Sequence, residues 1–342
     1  MTLDPRPYLD AIERELQRLL APPGGSADGM YGMMRYHMGW ADEALQPIEA
    51  PRGKRIRPLL CLLACEAAGG DWRAALPAAC AIELVHNFSL LHDDIEDSST
   101  TRRHRPTAWA LWGIPQALNT GDAMWAVSRL AHHELAAAGH PAERVLGAIR
   151  RLDEACLRLC TGQYLDLRFE AVDAVTVAEY EEMIAGKTAA LVAAATAIGA
   201  LLGGAGAAAL DEWAAYGCLL GLTFQVVDDI LGIWGEPEVT GKSAASDIVT
   251  KKKTLPVLYA LAWEREREMG DLAALYARPT LAEDDVAEAL ALLERAGARA
   301  YAQGWADRRQ EETLARLRAA GGRPAATEAL AALTLSLLHR TS

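Results

Sequence analysis

Ala81-Ile82-Glu83-Leu84-Val85-His86-Asn87-Phe88-Ser89-Leu90-Leu91-His92-Asp93-Asp94-Ile95-Glu96-Asp97 is a strongly apolar helical run that ends in acid. On a helix, Asp93 and Asp97 lie one turn apart on the same face, with Asp94 beside them. Three carboxylates that close repel one another, and acid at a helix C-terminus opposes the macrodipole. Stability therefore does not explain the order. Oxygen ligands on this spacing suit a hard divalent ion such as magnesium. Arg102 and Arg103 follow, cations that fork onto phosphate oxygens. Metal-binding acid followed by phosphate-binding base reads as a diphosphate site. A solvated acidic helix end before a basic loop, the ordinary reading of such a run, gains nothing from this arrangement.

A second acidic pair decides the matter. Phe224-Gln225-Val226-Val227-Asp228-Asp229 closes another apolar helix with adjacent carboxylates. Burying them unpaired among Val226, Val227, Ile230 and Leu231 would be expensive. Two such helices, each followed by a loop bearing Arg or Lys, imply two acidic walls facing one cavity. Cations between the walls would remove the repulsion with a diphosphate and help it leave from carbon.

The remaining chain predicts helix after helix. Pro7–Leu20, Met30–Leu45, a helix from Leu59, Pro77–Ser98, Gln116–Ala138, Glu143–Glu170, Val177–Leu202 and Ala207–Trp234 come first. Leu255–Tyr276, Ala282–Ala319 (with a break near Gly297 or Gly304) and Ala325–His339 follow. No alternating strand pattern, internal repeat or low-complexity linker interrupts them. The expectation is all-α: one domain over 1–342, a bundle of long antiparallel helices around a deep central cavity. Gly235–Lys253 is the longest non-periodic segment and has the length of a functional lid. Arg52-Gly53-Lys54-Arg55-Ile56-Arg57-Pro58 reads as an anion-binding loop entering a helix. His37, among Met and aromatic residues, reads as packing.

The chain is 51% hydrophobic and 23% charged over 342 residues, enough for a sizeable core. Its net charge of −12 argues against nucleic acid as partner. Cys61/Cys65 and Cys156/Cys160 are spaced i, i+4, but no further ligand completes a zinc set, so they read as reduced core residues of a cytoplasmic protein. No signal-peptide pattern opens the chain, and Thr188–Leu202 is short for a membrane span and reads as a buried core helix.

Together these motifs resemble the trans-isoprenyl diphosphate synthases, the polyprenyl synthetases, in particular the short-chain farnesyl and geranylgeranyl types. Asp93-Asp94-x-x-Asp97 with Arg102-Arg103 is similar to that family's first aspartate-rich motif, and Phe224-Gln225-x-x-Asp228-Asp229 to its second. Gly53-Lys54-x-x-Arg57-Pro58 is similar to the isopentenyl diphosphate loop; Gly162-Gln163-x-x-Asp166, Lys187-Thr188, Lys242, Asp247 and Lys252 fall in the family's order. The resemblance spans residues 31–258.

It implies a magnesium-dependent prenyltransferase that condenses isopentenyl diphosphate with an allylic diphosphate. Asp93, Asp97 and Asp228, supported by Asp94 and Asp229, would hold magnesium, three ions bridging the substrate diphosphate. Arg102, Lys187 and Lys242 would hold the allylic diphosphate, and Lys54, Arg57, His86 and Arg103 the isopentenyl one; Lys252 belongs to the same substrate-binding set. Thr188, Gln225 and the Lys187 carbonyl would stabilise the allylic cation. Phe88, five residues before Asp93, would stop the growing chain early, with Ser89 beside it and Met124 and Trp125 adding to the floor. A homodimer through helices of the 115–170 region is expected. Two departures stand out: Gly232 occupies the last place of a DDxxD pattern, and Arg52 replaces the first glycine of the basic loop. A terpene synthase or a non-catalytic subunit would share the fold. Neither explains the complete isopentenyl diphosphate set together with both aspartate pairs.

Overall fold

The computed structural model describes residues 4–51, 53–172, 174–235 and 245–339. Its architecture is all-α, as the periodicity requires. The helices are α1 (Arg6–Leu19), α2 (Asp28–His37), α3 (Ile56–Ala67), α4 (Leu76–Glu96), α5 (Ala108–Trp112), α6 (Ile114–Ala137), α7 (Ala142–Glu170) and α8 (Val177–Ile184). A five-residue π-helical bulge, Ala185–Ala189, joins α8 to α9 (Ala190–Gly203). Then come α10 (Ala207–Trp234), α11 (Ser246–Val249), α12 (Leu255–Arg265), α13 (Asp271–Tyr276), α14 (Glu283–Ala296), α15 (Ala298–Ala320) and α16 (Pro324–Leu338).

Several boundaries differ from expectation, each for a local reason. The second helix stops at His37 because Gly39 turns to φ 86°, and Ala41 then pairs with Pro47 in an isolated bridge. Leu255–Tyr276 is two helices, divided where Glu268 takes φ 56°. The break in the long C-terminal run falls at Gly297, whose φ of 74° ends α14 in the left-handed conformation glycine tolerates. A two-stranded hairpin, β1 (Thr101–Arg102) with β2 (Arg105–Pro106), was not expected at all. Its turn residues Arg103 and His104 both have positive φ, 52° and 62°, as a two-residue hairpin turn of the primed type requires.

The fold divides into two compact units. The first comprises residues 1–154, 194–213 and 320–330. In it α4 packs most extensively on α6, while α9 lies close on α3. That approach needs glycine: a Cβ on Gly199 or Gly203 would run into the carbonyls of Cys61 or Cys65. The second unit comprises residues 155–193, 214–319 and 331–342. It has a core of Ile233, Ile248, Val257, Leu272, Leu275 and Leu293.

Trp72–Glu96, Val177–Gly203 and Ala207–Trp234 are long and apolar enough to cross a membrane by length and composition, and Thr188–Leu202, read as a short buried core helix, is the later part of the second of them. Each is more than half buried inside the fold, and packing against protein accounts for its apolarity.

Candidate active site

In the first unit the carboxylates gather at the last turn of α4. Asp93 is half-buried, Asp97 exposed, and Asp94 only 1% exposed. Asp94 Oδ1 accepts a hydrogen bond from Arg102 Nε at 2.7 Å, and its Oδ2 is buried without a partner. Burial pushes the Asp94 carboxyl up to about 6, and the adjacent Arg102 guanidinium limits the rise. The hairpin thus carries Arg102 back onto the helix that the acidic motif terminates.

Cations collect nearby. Gly53, in the basic loop, lies against Arg103: a Cβ there would be 3.1 Å from Nη2. Arg57 Nε and Arg103 Nη1 are both buried without a partner, an arrangement that invites an anion. Burial lowers the pKa of both arginines and holds His86 well below the usual histidine range, with Arg57 and Arg103 adding to the effect on His86. His86 is therefore a neutral imidazole beside two guanidinium groups. Lys54 is exposed.

Two members of this cluster were missed or undervalued in the sequence. Arg55 is buried and bonds Glu83 at 2.9 Å and Glu13 at 3.2 Å. With φ 53° it turns the loop into α3, so it anchors the loop that bears Lys54 and Arg57. His37 was read as packing, yet its Nε2 is buried without a partner, and burial followed by Arg103, Arg102 and Arg55 depresses its pKa. Its signal was the orphaned nitrogen, which no sequence pattern reports.

Phe88 is buried, and Ser89 Oγ donates to the His86 carbonyl at 2.8 Å. Trp125 is 41% exposed, so its ring is not part of the packed interior of this unit; Met124, one residue earlier, is fully buried.

In the second unit a polar chain runs from the π bulge through α10 to α8. Thr188 Oγ1 donates to Gln225 Oε1 at 2.7 Å, and Gln225 Nε2 donates to Asp229 Oδ1 at 3.0 Å. Asp229 Oδ2 accepts from the Tyr180 hydroxyl and from Leu255 N–H. Asp229 is 4% exposed, and burial pushes its carboxyl up to about 7 against the pull of Tyr180, Gln225 and Leu255. Asp228 is half-buried. Lys187 ion-pairs with Asp166. The bulge sits where α7 comes closest: a Cβ on Gly162 would fall on the Lys187 backbone nitrogen. A π bulge inside a helix commonly marks a functional position.

The gap left by Gly232 is filled. A Cβ there would lie 2.5 Å from Asp247 Cγ and closer to one of its oxygens, so the Asp247 carboxylate stands beside Gly232 where the motif lacks its own. Of the three consecutive lysines, Lys251 donates to the Tyr276 and Arg278 carbonyls and Lys253 to those of Phe169 and Val172. Lys252 is exposed. Lys242, expected to hold phosphate, lies outside the described residues.

Among the described residues no three His, Cys, Asp or Glu side chains form a ready-made metal cage. On α4, Asp94 turns to Arg102. Magnesium keeps several waters and commonly takes one or two carboxylates plus substrate phosphate, so such a donor set fits an ion that arrives with a diphosphate.

An all-α fold with acidic residues late in its helices and buried, unpartnered guanidinium groups suits an enzyme of diphosphate chemistry. The family model described as polyprenyl synthetase matches residues 38–293, and the chain belongs to that family. It is 45% identical over 282 residues to a (2E,6E)-farnesyl diphosphate synthase of Mycobacterium tuberculosis (strain ATCC 25618 / H37Rv), covering 82% of this chain and 77% of the relative. A geranylgeranyl diphosphate synthase of the same strain is 43% identical, with 83% and 80% covered. The crystal structure of a polyprenyl synthetase from Streptomyces coelicolor A3(2) superposes with a TM-score of 0.89 at 37% identity, covering 97% of this chain and 98% of that one.

Proposed function

We propose that this protein is a head-to-tail prenyltransferase that joins isopentenyl diphosphate to an allylic diphosphate and releases a short-chain product, farnesyl or geranylgeranyl diphosphate. The observation that carries the reading is the pair of orphaned guanidinium nitrogens on Arg57 and Arg103, buried beside neutral His86. A terpene cyclase has no use for this second anion site. Retention of both aspartate pairs likewise speaks against a non-catalytic subunit.

Lys54, Arg57, His86 and Arg103 bind the isopentenyl diphosphate; Arg102, Lys187 and Lys242 bind the allylic one, with Lys252 completing the set. Asp93, Asp97 and Asp228, with Asp94 and Asp229 in support, would hold magnesium, three ions in this reading, and the metal would supply positive charge to the leaving diphosphate. Asp94 Oδ2, buried without a partner, fits that supporting role. The carbon–oxygen bond of the allylic substrate breaks, and its electron pair leaves with the diphosphate. Thr188 Oγ1, Gln225 Oε1 and the Lys187 carbonyl turn their dipoles to the allylic cation, and the polar chain to Asp229 fixes Gln225 in the orientation that serves it. The isopentenyl double bond then forms the new carbon–carbon bond, and a proton is lost to the released diphosphate. Phe88, with Ser89 beside it and the buried Met124 on α6, limits chain growth.

The exposed apolar residues Ile114, Leu118, Trp125 and Leu130 on α6, and Leu146, Leu157 and Tyr164 on α7, support a homodimer. The free thiols of Cys61, Cys65, Cys80 and Cys218 accord with a reducing, cytoplasmic setting.

The test is incubation with magnesium, isopentenyl diphosphate and each of dimethylallyl, geranyl and farnesyl diphosphate. A lengthened diphosphate is expected. Hydrocarbon or alcohol formed from one prenyl diphosphate alone would instead indicate a terpene synthase.

A further inference from the structure

Phe88 is not held by its own rotamer alone. Its ring meets the imidazole of His92, one turn further along α4, edge to face, with centroids 5.6 Å apart and planes at 84°. His92 is in turn tied to α6. Its Nε2 lies 3.1 Å from the Leu118 carbonyl oxygen, and because a carbonyl only accepts, Nε2 carries the proton. Asp122 Oδ1 is 3.6 Å from the same nitrogen.

The imidazole occupies space that only glycine leaves open. A Cβ on Gly121 would lie 2.5 Å from His92 Cδ2 and closer still to Nε2. Gly121 sits in the middle of α6 without a positive φ, so backbone conformation gives no reason for glycine there; the cost of glycine inside a helix is offset by the room it makes. A ring that blocks a growing chain must resist being pushed into another rotamer, and an edge-on partner anchored to a second helix supplies that resistance.

We propose that His92, seated in the slot opened by Gly121, is a positioning residue that holds the Phe88 ring across the path of the growing prenyl chain and so sets where elongation stops. The inference rests on the prenyl-transfer reading and concerns the same site. An ordinary interhelical hydrogen bond would affect stability and leave product length alone, which is the distinction the experiment reads.

The full-length protein is incubated with magnesium, isopentenyl diphosphate and geranyl diphosphate, and the ratio of the next-longer product to the wild-type product is measured. Phe88→Ala should move the main product by at least one isoprene unit. His92→Ala should raise the ratio roughly two- to tenfold, the effect of losing one edge contact. Added to Phe88→Ala, it should change nothing further, because the ring it positions is gone. Gly121→Ala, which leaves the acidic helix untouched, should act in the same direction and add nothing in a His92→Ala background. Lost turnover or a lowered Tm with an unchanged product ratio in both His92→Ala and Gly121→Ala would overturn the inference. So would an equal lengthening by His92→Ala with Phe88 removed, or no lengthening by Phe88→Ala. A wild-type protein that makes no longer diphosphate overturns the proposed function and this inference with it.

Discussion

Asp93-Asp94 on α4 and Asp228-Asp229 on α10 are adjacent aspartates in apolar helices, and in both pairs the second member is buried while the first is not. Helical geometry explains the division, since neighbours point about 100° apart and cannot share a face. The pairs differ in what compensates the buried carboxylate. Asp94 has a charged partner, Arg102, reached through a hairpin and itself partly exposed. Asp229 has three neutral donors from α8, α10 and the start of α12. A charged, accessible partner can be shared with a substrate phosphate, whereas donors built into the packing cannot. On this comparison the first pair is adjustable and the second is fixed.

The largest expected effect separates outward from inward acid. Asp228→Asn or Asp93→Asn should lower kcat by roughly 10²–10³-fold, as loss of a group that stabilises the leaving diphosphate does, and leave the thermal midpoint in place. A comparable loss of folding stability in either variant would break the assignment of chemistry to the outward members.

The buried acids should show themselves in the pH dependence of the metal-free protein. Their folded pKa values, about 6 for Asp94 and about 7 for Asp229, lie above the unfolded value of 3.8. The folded state therefore binds more protons than the unfolded one. This stabilisation is fully present below the unfolded pKa and is lost as pH rises through the folded values, at up to about 1.4 kcal/mol per pH unit for each group. Asp94→Asn should flatten the curve only below about pH 6, and Asp229→Asn should flatten it up to about pH 7. Tm measured against pH by circular dichroism reads both windows.

Asp247 sharpens the second half of the comparison. If its carboxylate stands in for the aspartate missing at Gly232, Asp247→Gly should lower magnesium affinity by roughly 10–100-fold, the usual effect of losing a carboxylate that supports the metal's ligands. Gly232→Asp alone should disrupt packing, because its side chain meets Asp247. The double variant should recover much of what each single one loses. Titration of magnesium in the presence of inorganic diphosphate measures it directly, and independent, additive losses would sink the idea.

Charge placed in apolar runs made both acidic motifs legible in the sequence, and helical periodicity gave most element boundaries. Adjacent acids look equivalent in one dimension, so nothing marked Asp94 and Asp229 as the buried members. The hairpin was hidden because Arg103 and His104, neither of them glycine, take its positive-φ positions. The π bulge depends on Gly162 meeting a backbone more than twenty residues away, and the filling of Gly232 by Asp247 is equally non-local. Local chemistry was readable; what folds back onto it was not.

The smallest effect tests the contrast between partners most directly. Tyr180→Phe removes a buried donor from Asp229 and should cost about 1–3 kcal/mol, a fall of a few degrees in Tm. Arg102→Lys keeps a cation near Asp94, and because the Arg102 side chain is 30% exposed, water and the lysine ammonium together should hold the stability loss below about 1 kcal/mol. Its effect should appear instead in KM for the allylic diphosphate, since an ammonium cannot fork onto phosphate as a guanidinium does. If Arg102→Lys unfolds the protein as readily as Tyr180→Phe, Arg102 is committed to Asp94 and is not available to substrate. The first pair would then be as fixed as the second.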